Sequence, residues 1–99
     1  MIKLDTTNFS DINKDKPVLV KFGAIWCGPC RALSQTLKGL ETNEDPIYEV
    51  DVDATPDIAN KYKIASIPTL AIFKNGEMVK SHSGPMSKDD IVKFVKEAE

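Results

Sequence analysis

The chain has 99 residues, of which 41% are apolar and 28% charged, a balance that suits one globular domain over residues 1–99 and excludes a disordered or collagen-like chain. Thirteen Lys and Arg against 15 Asp and Glu give a formal charge of −2, so we expect no general attraction to nucleic acid or to anionic lipid. No apolar stretch approaches the roughly 20 residues of a membrane span, and the first residues do not resemble a signal peptide, so the sequence predicts a cytoplasmic protein.

The first part of the chain predicts two strands separated by a short helix. Residues 1–4 are typical of a short strand, and Thr7 can cap the short helix that follows. Residues 18–22 are apolar on both faces of a strand, which is typical of the centre of a sheet that is covered on both sides. Gly23 is expected to end this strand.

The middle of the chain predicts a long helix, a strand and a shorter helix. The long helix opens within 27–30 and runs to about Thr42, with leucines on one stripe at positions 33, 37 and 40. Residues 47–52 form the next strand. Thr55 and Pro56 then cap and open the shorter helix, since proline is well tolerated at the first helical position.

The last part predicts a hairpin and a terminal helix. Asn75-Gly76 lies between two strand-like runs, 69–73 and 78–82, and is a strong hairpin signal. Ser87 begins a pattern that resembles a capping box, and the apolar residues after it recur at helical spacing. The resulting order, β-α-β-α-β-α-β-β-α, predicts an α/β sandwich with a mixed sheet.

Cys27 and Cys30 are the only cysteines, and they lie where a helix is predicted to begin. A bridge over so few residues closes too small a loop to stabilise the fold much, so the pair indicates redox chemistry. A free thiol has a pKa of about 8.5, but unpaired N–H groups at a helix N-terminus stabilise a thiolate at Cys27. Cys30, one turn further on, can attack a mixed disulfide formed there. Gly28 permits a close approach, and Pro29 fixes the backbone between them.

Three other interpretations of the cysteine pair stay open at this point. A structural zinc site normally needs four ligands, and the only other strong candidate ligand in the chain is His82. The two cysteines could be buried and inert. They could also hold an iron–sulfur cluster shared between two chains.

Four segments occur in an order and spacing that resemble the thioredoxin family over essentially the whole chain. They are Trp26-Cys27-Gly28-Pro29-Cys30, Ile67-Pro68-Thr69, Phe73-Lys74-Asn75-Gly76 and Gly84. The resemblance implies a thioredoxin fold, with a central mixed five-stranded sheet flanked by four helices. It also implies a cytoplasmic, monomeric electron carrier that takes part in cell redox homeostasis. Its substrates would be proteins with disulfides, its electron donor a thioredoxin reductase or an equivalent, and its only redox group the cysteine pair, with no cofactor or metal.

The resemblance assigns roles to individual residues. Cys27 resembles the partly exposed attacking cysteine and Cys30 the buried resolving one. Pro68 resembles the family's cis-proline, whose loop faces the cysteines and pairs with the substrate backbone, and an X–Pro bond is the only kind for which a cis form is cheap. Trp26 resembles the tryptophan that shields the site, and Gly84 the glycine beside the substrate groove. The substrate-binding residues implied are Trp26, Gly28, Pro29, Ile67, Pro68 and Gly84.

Four positions depart from the family pattern. Lys21 stands where the family usually has a buried aspartate, and Glu49 falls where it usually has a lysine, so the pair is expected with its charges exchanged. Gly23 replaces an aromatic residue two positions after Lys21, and Gln35 replaces a mid-helix proline.

The exchanged pair has two opposed interpretations. If Lys21 is buried and charged, it favours thiolate formation, and if it is buried and neutral, it can accept a proton. Glu49 beside it could then relay protons through water. The alternative is that Lys21 extends its ammonium to solvent and contributes nothing.

The resemblance leaves two rival functions beside disulfide reduction. One is a more oxidising disulfide isomerase on the same fold, although the Gly-Pro pair between the cysteines favours a reductant. The other is a structural or processivity subunit that clamps a partner protein.

Overall fold

A five-stranded mixed sheet forms the centre of the molecule, seen here in a computed structural model that describes residues 1–99. The strands are β1 (Ile2–Lys3), β2 (Val18–Gly23), β3 (Tyr48–Asp51), β4 (Thr69–Lys74) and β5 (Glu77–Ser83). Their order across the sheet is β1-β3-β2-β4-β5. The pairs β1–β3 and β3–β2 are parallel, whereas β4 runs antiparallel to both β2 and β5. This is the thioredoxin fold that the resemblance implied.

Three α-helices and one 3₁₀ helix cover the sheet, against the four helices expected. They are α1 (Gly28–Lys38), α2 (Pro56–Lys61), α3 (Lys88–Lys96) and the 3₁₀ helix Phe9–Ile12. None of them is long and apolar enough to pass through a bilayer.

The first predicted helix is a single 3₁₀ turn, and Thr7 does not cap it. The backbone N–H of Thr7 donates to Asp5 Oδ1, and Asn8 Nδ2 donates to the carbonyl of Lys3. Short polar side chains that bond locally in this way compete with a longer helix.

Helix α1 ends four residues before the predicted boundary at Thr42. Gly39 follows its last residue, and the N–H groups of Leu40 and Glu41 both bond to the carbonyl of Leu37. The Glu41 carboxylate accepts a hydrogen bond from Ile47 N–H at 2.8 Å, so the chain turns here toward β3.

The second half follows the predicted pattern closely. Asn75 and Gly76 have φ values of 55° and 78°, as a tight two-residue hairpin requires. Ser87 Oγ accepts a hydrogen bond from Asp90 N–H and caps α3. Pro56 begins α2, although the Thr55 side chain makes no capping hydrogen bond.

The core lies in two layers, one on each face of the sheet. One layer packs beneath α2 and the 3₁₀ helix and consists of Leu4, Ile12, Val18, Val20, Phe22, Tyr48, Val50, Ile58, Ala71 and Phe73. The other packs beneath α1 and α3 and consists of Leu19, Leu33, Leu37, Ile47, Leu70, Ile72, Ile91 and Phe94. All six residues of β2 are buried, which agrees with its predicted place at the centre.

Candidate active site

Cys27 and Cys30 form a disulfide at the start of α1, directly beyond the carboxyl end of β2. Their Cα atoms are 5.2 Å apart. Cys27 occupies the N-cap position, and its Sγ accepts a hydrogen bond from Cys30 N–H at 3.2 Å. Gly28 and Pro29 are the first two helical residues, where a proline costs no backbone hydrogen bond. The Cys-Gly-Pro-Cys segment therefore lies at a helix N-terminus, as predicted.

The two sulfur-bearing residues differ in exposure less than expected. Cys30 is 1% exposed and Cys27 6%, so Cys27 is the more accessible but is itself mostly covered. They pack with Ala24, and Ile67 and Val52 cover the cluster from outside. The two cysteines thus lie in a small apolar cluster, and Cys27 is the more exposed of the two.

The Ile67-Pro68 peptide bond is cis, which confirms the prediction for this loop. The loop precedes β4, and Ile67 packs against the cysteine cluster. The carbonyl of Pro68 accepts a hydrogen bond from Gly84 N–H at 2.8 Å. Gly84 has a φ of 100°, a conformation that favours glycine, and a Cβ built there would meet no atom within 4 Å. Gly84 is therefore held against Pro68, the neighbour of Ile67, which packs against the cysteine cluster.

Trp26 is 69% exposed and Ile25 79%, so two large apolar side chains stand in solvent beside the cysteines. The indole N–H of Trp26 donates to Asp53 Oδ2 at 2.6 Å, which fixes the ring at the mouth of the site. Arg31 donates in turn to the carbonyl of Ile25 at 2.9 Å. The sequence did not single out Asp53, because nothing in its spacing shows that it meets Trp26.

Lys21 is buried and lies beneath the start of α1, so the interpretation in which it extends to solvent is wrong. It is 7% exposed, and its Nζ lies 3.6 Å from Glu49 Oε2. Both residues occupy one register row of the parallel strands β2 and β3. Lys21 Nζ also donates to the hydroxyl of Ser34 on α1, a partner that the sequence did not indicate.

An open groove of about 450 Å³ runs along the side of α1 and reaches this pair. Lys21, Glu49 and Ser34 line it together with Gly23 and Asp51. The buried ion pair therefore has a route to bulk water. His82, the remaining candidate ligand of a zinc site, lies on β5 with its ring against Phe94.

Comparison with known proteins agrees with this geometry. The family model described as Thioredoxin matches residues 1–97. The chain is 40% identical to a thioredoxin of Chlamydia trachomatis over 90 residues, which cover 89% of this chain and 88% of that protein. It is 36% identical to a thioredoxin of Staphylococcus saprophyticus over 98 residues, or 96% and 94% of the two chains. It also matches, at 36% identity over 88 residues, a bifunctional thioredoxin reductase/thioredoxin of Mycobacterium leprae, covering 85% of this chain and 19% of that protein.

Proposed function

This chain belongs to the thioredoxin family and is a thiol–disulfide oxidoreductase, and from that premise we propose that it reduces disulfides in other proteins. The observation that carries the proposal is the Cys27–Cys30 disulfide at a helix N-terminus, beside exposed apolar side chains and the loop of Pro68. A site of this kind can receive an extended segment of a substrate protein and exchange its disulfide.

The proposed reaction passes two electrons from the cysteine pair to the substrate. The Cys27 thiolate attacks one sulfur of the substrate disulfide, and the other substrate sulfur leaves as a thiolate that takes up a proton. The Cys30 thiol then loses its proton and attacks Cys27 Sγ, which closes the Cys27–Cys30 disulfide and releases the second substrate thiol. Cys30 N–H already points at Cys27 Sγ, and such a donor, with the other free N–H groups of the first turn, stabilises the attacking thiolate.

Lys21 and Glu49 are proposed to serve the second half of this reaction. The buried ammonium of Lys21 favours negative charge on the nearby Cys30 sulfur. The Glu49 side chain, 23% exposed and lining the groove, can pass the proton that leaves Cys30 to water. The pair would thus take the place of the family's aspartate and lysine with exchanged charges.

Substrate binding is proposed for the residues that surround the disulfide. Trp26 offers a large exposed ring, and a Cβ built at Gly28 would meet only the tip of Arg31, at 3.9 Å, so the space above it is open. Ile67 and Pro68 form one wall and Gly84 adjoins it. Pro29 completes the set at the first turn of α1.

The proposed partners are disulfide-containing proteins and a thioredoxin reductase or an equivalent donor that restores the dithiol. The Mycobacterium leprae relative carries both names in one chain, which supports a reductase as the donor. We propose further that the protein acts as a cytoplasmic monomer in cell redox homeostasis, with no cofactor beyond its cysteine pair.

Reduction of insulin disulfides with dithiothreitol as the electron source tests the proposal. The protein should accelerate insulin precipitation, and Cys27→Ser should abolish the acceleration. Cys30→Ser should trap insulin as a mixed disulfide on Cys27, which mass spectrometry detects. A clamp subunit without redox function would keep its partner and its activity as Cys27→Ser. A redox potential near −120 mV, instead of about −270 mV, would indicate an oxidant or isomerase.

A further inference from the structure

The ammonium of Lys21 is tied to the same helix that carries Cys30. Lys21 Nζ donates to Ser34 Oγ, and Ser34 follows Cys30 by four positions, so the two side chains lie on one face of α1. Glu49 Oε2 lies 3.6 Å from Nζ on the opposite side, toward β3. Without the Ser34 hydroxyl, the ammonium would be drawn toward the carboxylate and away from the helix.

Gly23 lies between the side chains of Lys21 and Cys30. A Cβ built on Gly23 would lie 3.1 Å from Cys30 Sγ and 3.2 Å from Lys21 Cε. Both atoms therefore lie next to the Cα of Gly23, and a Cβ there would be closer to each of them than ordinary van der Waals contact allows. Gly23 and Lys21 are two apart on β2, so their side-chain positions share a face of the sheet.

We propose that Ser34 and Gly23 are positioning residues for the resolving step, and that they hold the Lys21 ammonium under Cys30 so that its charge stabilises the Cys30 thiolate. The inference rests on the proposed role of Cys30 as the resolving cysteine. When the Cys30 S–H bond breaks, the proton passes to water of the groove, and the electron pair left on sulfur forms the bond to Cys27 Sγ. The bond between Cys27 Sγ and the substrate sulfur breaks, and the substrate sulfur leaves as a thiolate with the electron pair of that bond.

The other charged groups that line the groove are more exposed than Lys21 or are hydrogen-bonded to backbone groups. Asp51, on β3 beside Gly23, accepts hydrogen bonds from the backbone N–H groups of Asp53 and Ala54. Arg31 on α1 donates to the carbonyl of Ile25. The remaining charged residues along the groove are exposed and screened by solvent: Lys3, Asp5 and Lys38. Glu49 is thus the group that opposes the effect of Lys21 on Cys30.

A titration of the Cys30 thiol tests the inference without any substrate. Because the chain has two cysteines, Cys27→Ser leaves one thiol, whose ionisation can be followed by the ultraviolet absorbance of the thiolate. The Cys27→Ser/Cys30→Ser protein supplies the tyrosine background. In the Cys27→Ser protein, Lys21→Met should raise the titration midpoint of Cys30 by about one unit, and Ser34→Ala by about half a unit.

The sign of each shift tests the charges assigned to the site. Glu49→Gln should move the Cys30 midpoint down, since it leaves the Lys21 charge uncompensated, whereas Ser34→Ala should move it up. Gly23→Ala should move the Cys30 midpoint up as well, because the flexible Lys21 side chain is expected to shift away from the added Cβ, which would lie 3.2 Å from its Cε. Damage to the packing of α1 by Ser34→Ala would shift the midpoint whether or not Lys21 is present.

Two variants of α1 serve as controls. Ser34→Thr keeps the hydroxyl and should restore the midpoint. Thr36→Ala removes a hydroxyl that contacts only the carbonyl of Ala32, at 3.5 Å, and should leave the midpoint unchanged. In the Lys21→Met protein, Ser34→Ala should add no further shift.

Either of two results would overturn the inference: an unchanged Cys30 midpoint in Ser34→Ala, or an equal shift by Ser34→Ala when Lys21 is already Met. Failure of insulin reduction with the expected titration shifts would instead count against the proposed function alone.

Discussion

The difference in exposure between Cys27 and Cys30 predicts the order in which they react. Cys30 is 1% exposed and lies within the first turn of α1, whereas Cys27 is 6% exposed at the N-cap, where helix N–H groups favour its thiolate. Limited iodoacetamide should therefore alkylate Cys27 of the reduced protein first, as peptide mass mapping would show. Alkylation of Cys30 before Cys27 would exchange the two proposed roles.

The contact between Lys21 and Glu49 predicts non-additive effects on stability. Removing Glu49 leaves a buried ammonium with Ser34 as its remaining partner, so Glu49→Gln should lower the free energy of unfolding by about 2 kcal/mol. Lys21→Asp with Glu49→Lys restores opposite charges and should cost less than the two single changes together. Urea denaturation of the parent protein, Lys21→Asp, Glu49→Lys and the double variant measures the coupling free energy between the two residues, which is expected to be about 0.5–3 kcal/mol.

A matched control for this cycle is Lys38→Met, which removes an exposed lysine from the same groove and should change stability little. Additive effects of the two pair substitutions would mean that Lys21 and Glu49 do not interact in solution.

At the level of single residues, the sequence predicts those parts of the site that a local motif specifies. The Cys-Gly-Pro-Cys segment carries its own helix start, and the resemblance of Ile67-Pro68-Thr69 to the family loop predicts the cis bond at Pro68. The partners Ser34 and Asp53 could not be predicted, because their contacts with Lys21 and Trp26 depend on how α1 and the loop after β3 pack on the sheet. No sequence spacing encodes that packing.

Among the elements, the connection from α1 to β3 depends on Glu41. Burial raises the pKa of the Glu41 carboxyl, but the hydrogen bond from Ile47 N–H and the amino nitrogen of Met1, 3.0 Å from Oε1, outweigh it, so this pKa lies below its ordinary value of 4.5. A carboxyl whose folded-state pKa is lowered stabilises the fold above its unfolded pKa. This stabilisation is lost as the pH falls through the folded-state pKa.

Glu41→Gln should accordingly lower the free energy of unfolding at pH 7 by about 1 kcal/mol, since the amide keeps one acceptor but not the charge. The difference in free energy of unfolding between Glu41→Gln and the parent protein should shrink as the pH falls below the ordinary pKa of the Glu41 carboxyl. Urea denaturation at a series of pH values measures this. Glu77→Gln, at an exposed hairpin position without an ion pair, is the control and should show no such trend. A pH-independent loss in Glu41→Gln would assign the effect to packing.

The sequence predicts the boundaries of some helices and strands correctly and those of others incorrectly. The Asn75-Gly76 hairpin and the start of α2 at Pro56 are confirmed, because a residue with special backbone geometry marks each of them. The end of α1 and the 3₁₀ turn at 9–12 differ from prediction. In both places hydrogen bonds between a side chain and backbone five or six residues away, such as that between Glu41 and Ile47 N–H, compete with helix formation.

At the level of the whole molecule, the order of strands explains why the redox site can be rigid and yet exposed. Strand β2 is paired on both sides and buried along its length, and it ends four positions before Cys27. Helix α1 leaves this strand after a turn of four residues, so the disulfide is anchored to the most protected part of the sheet. The loop of Pro68 leads into β4, the other neighbour of β2. The two walls of the site are therefore attached to adjacent central strands.

The same arrangement predicts the order of amide exchange. Amides of β2 and β4 lie between two strands and two core layers, so they should exchange only when the whole domain unfolds. Strand β1 has two residues, both exposed, and the 3₁₀ helix has one turn, so their amides should exchange by local opening. Hydrogen exchange followed by NMR measures the opening free energy of each amide. The values for Val20 and Ala71 should match that from urea denaturation, and those for β1 should fall clearly below it. Equal protection in β1 and β2 would show that the edge opens only together with the centre, and would remove the physical basis for treating β2 as the anchor of the redox site.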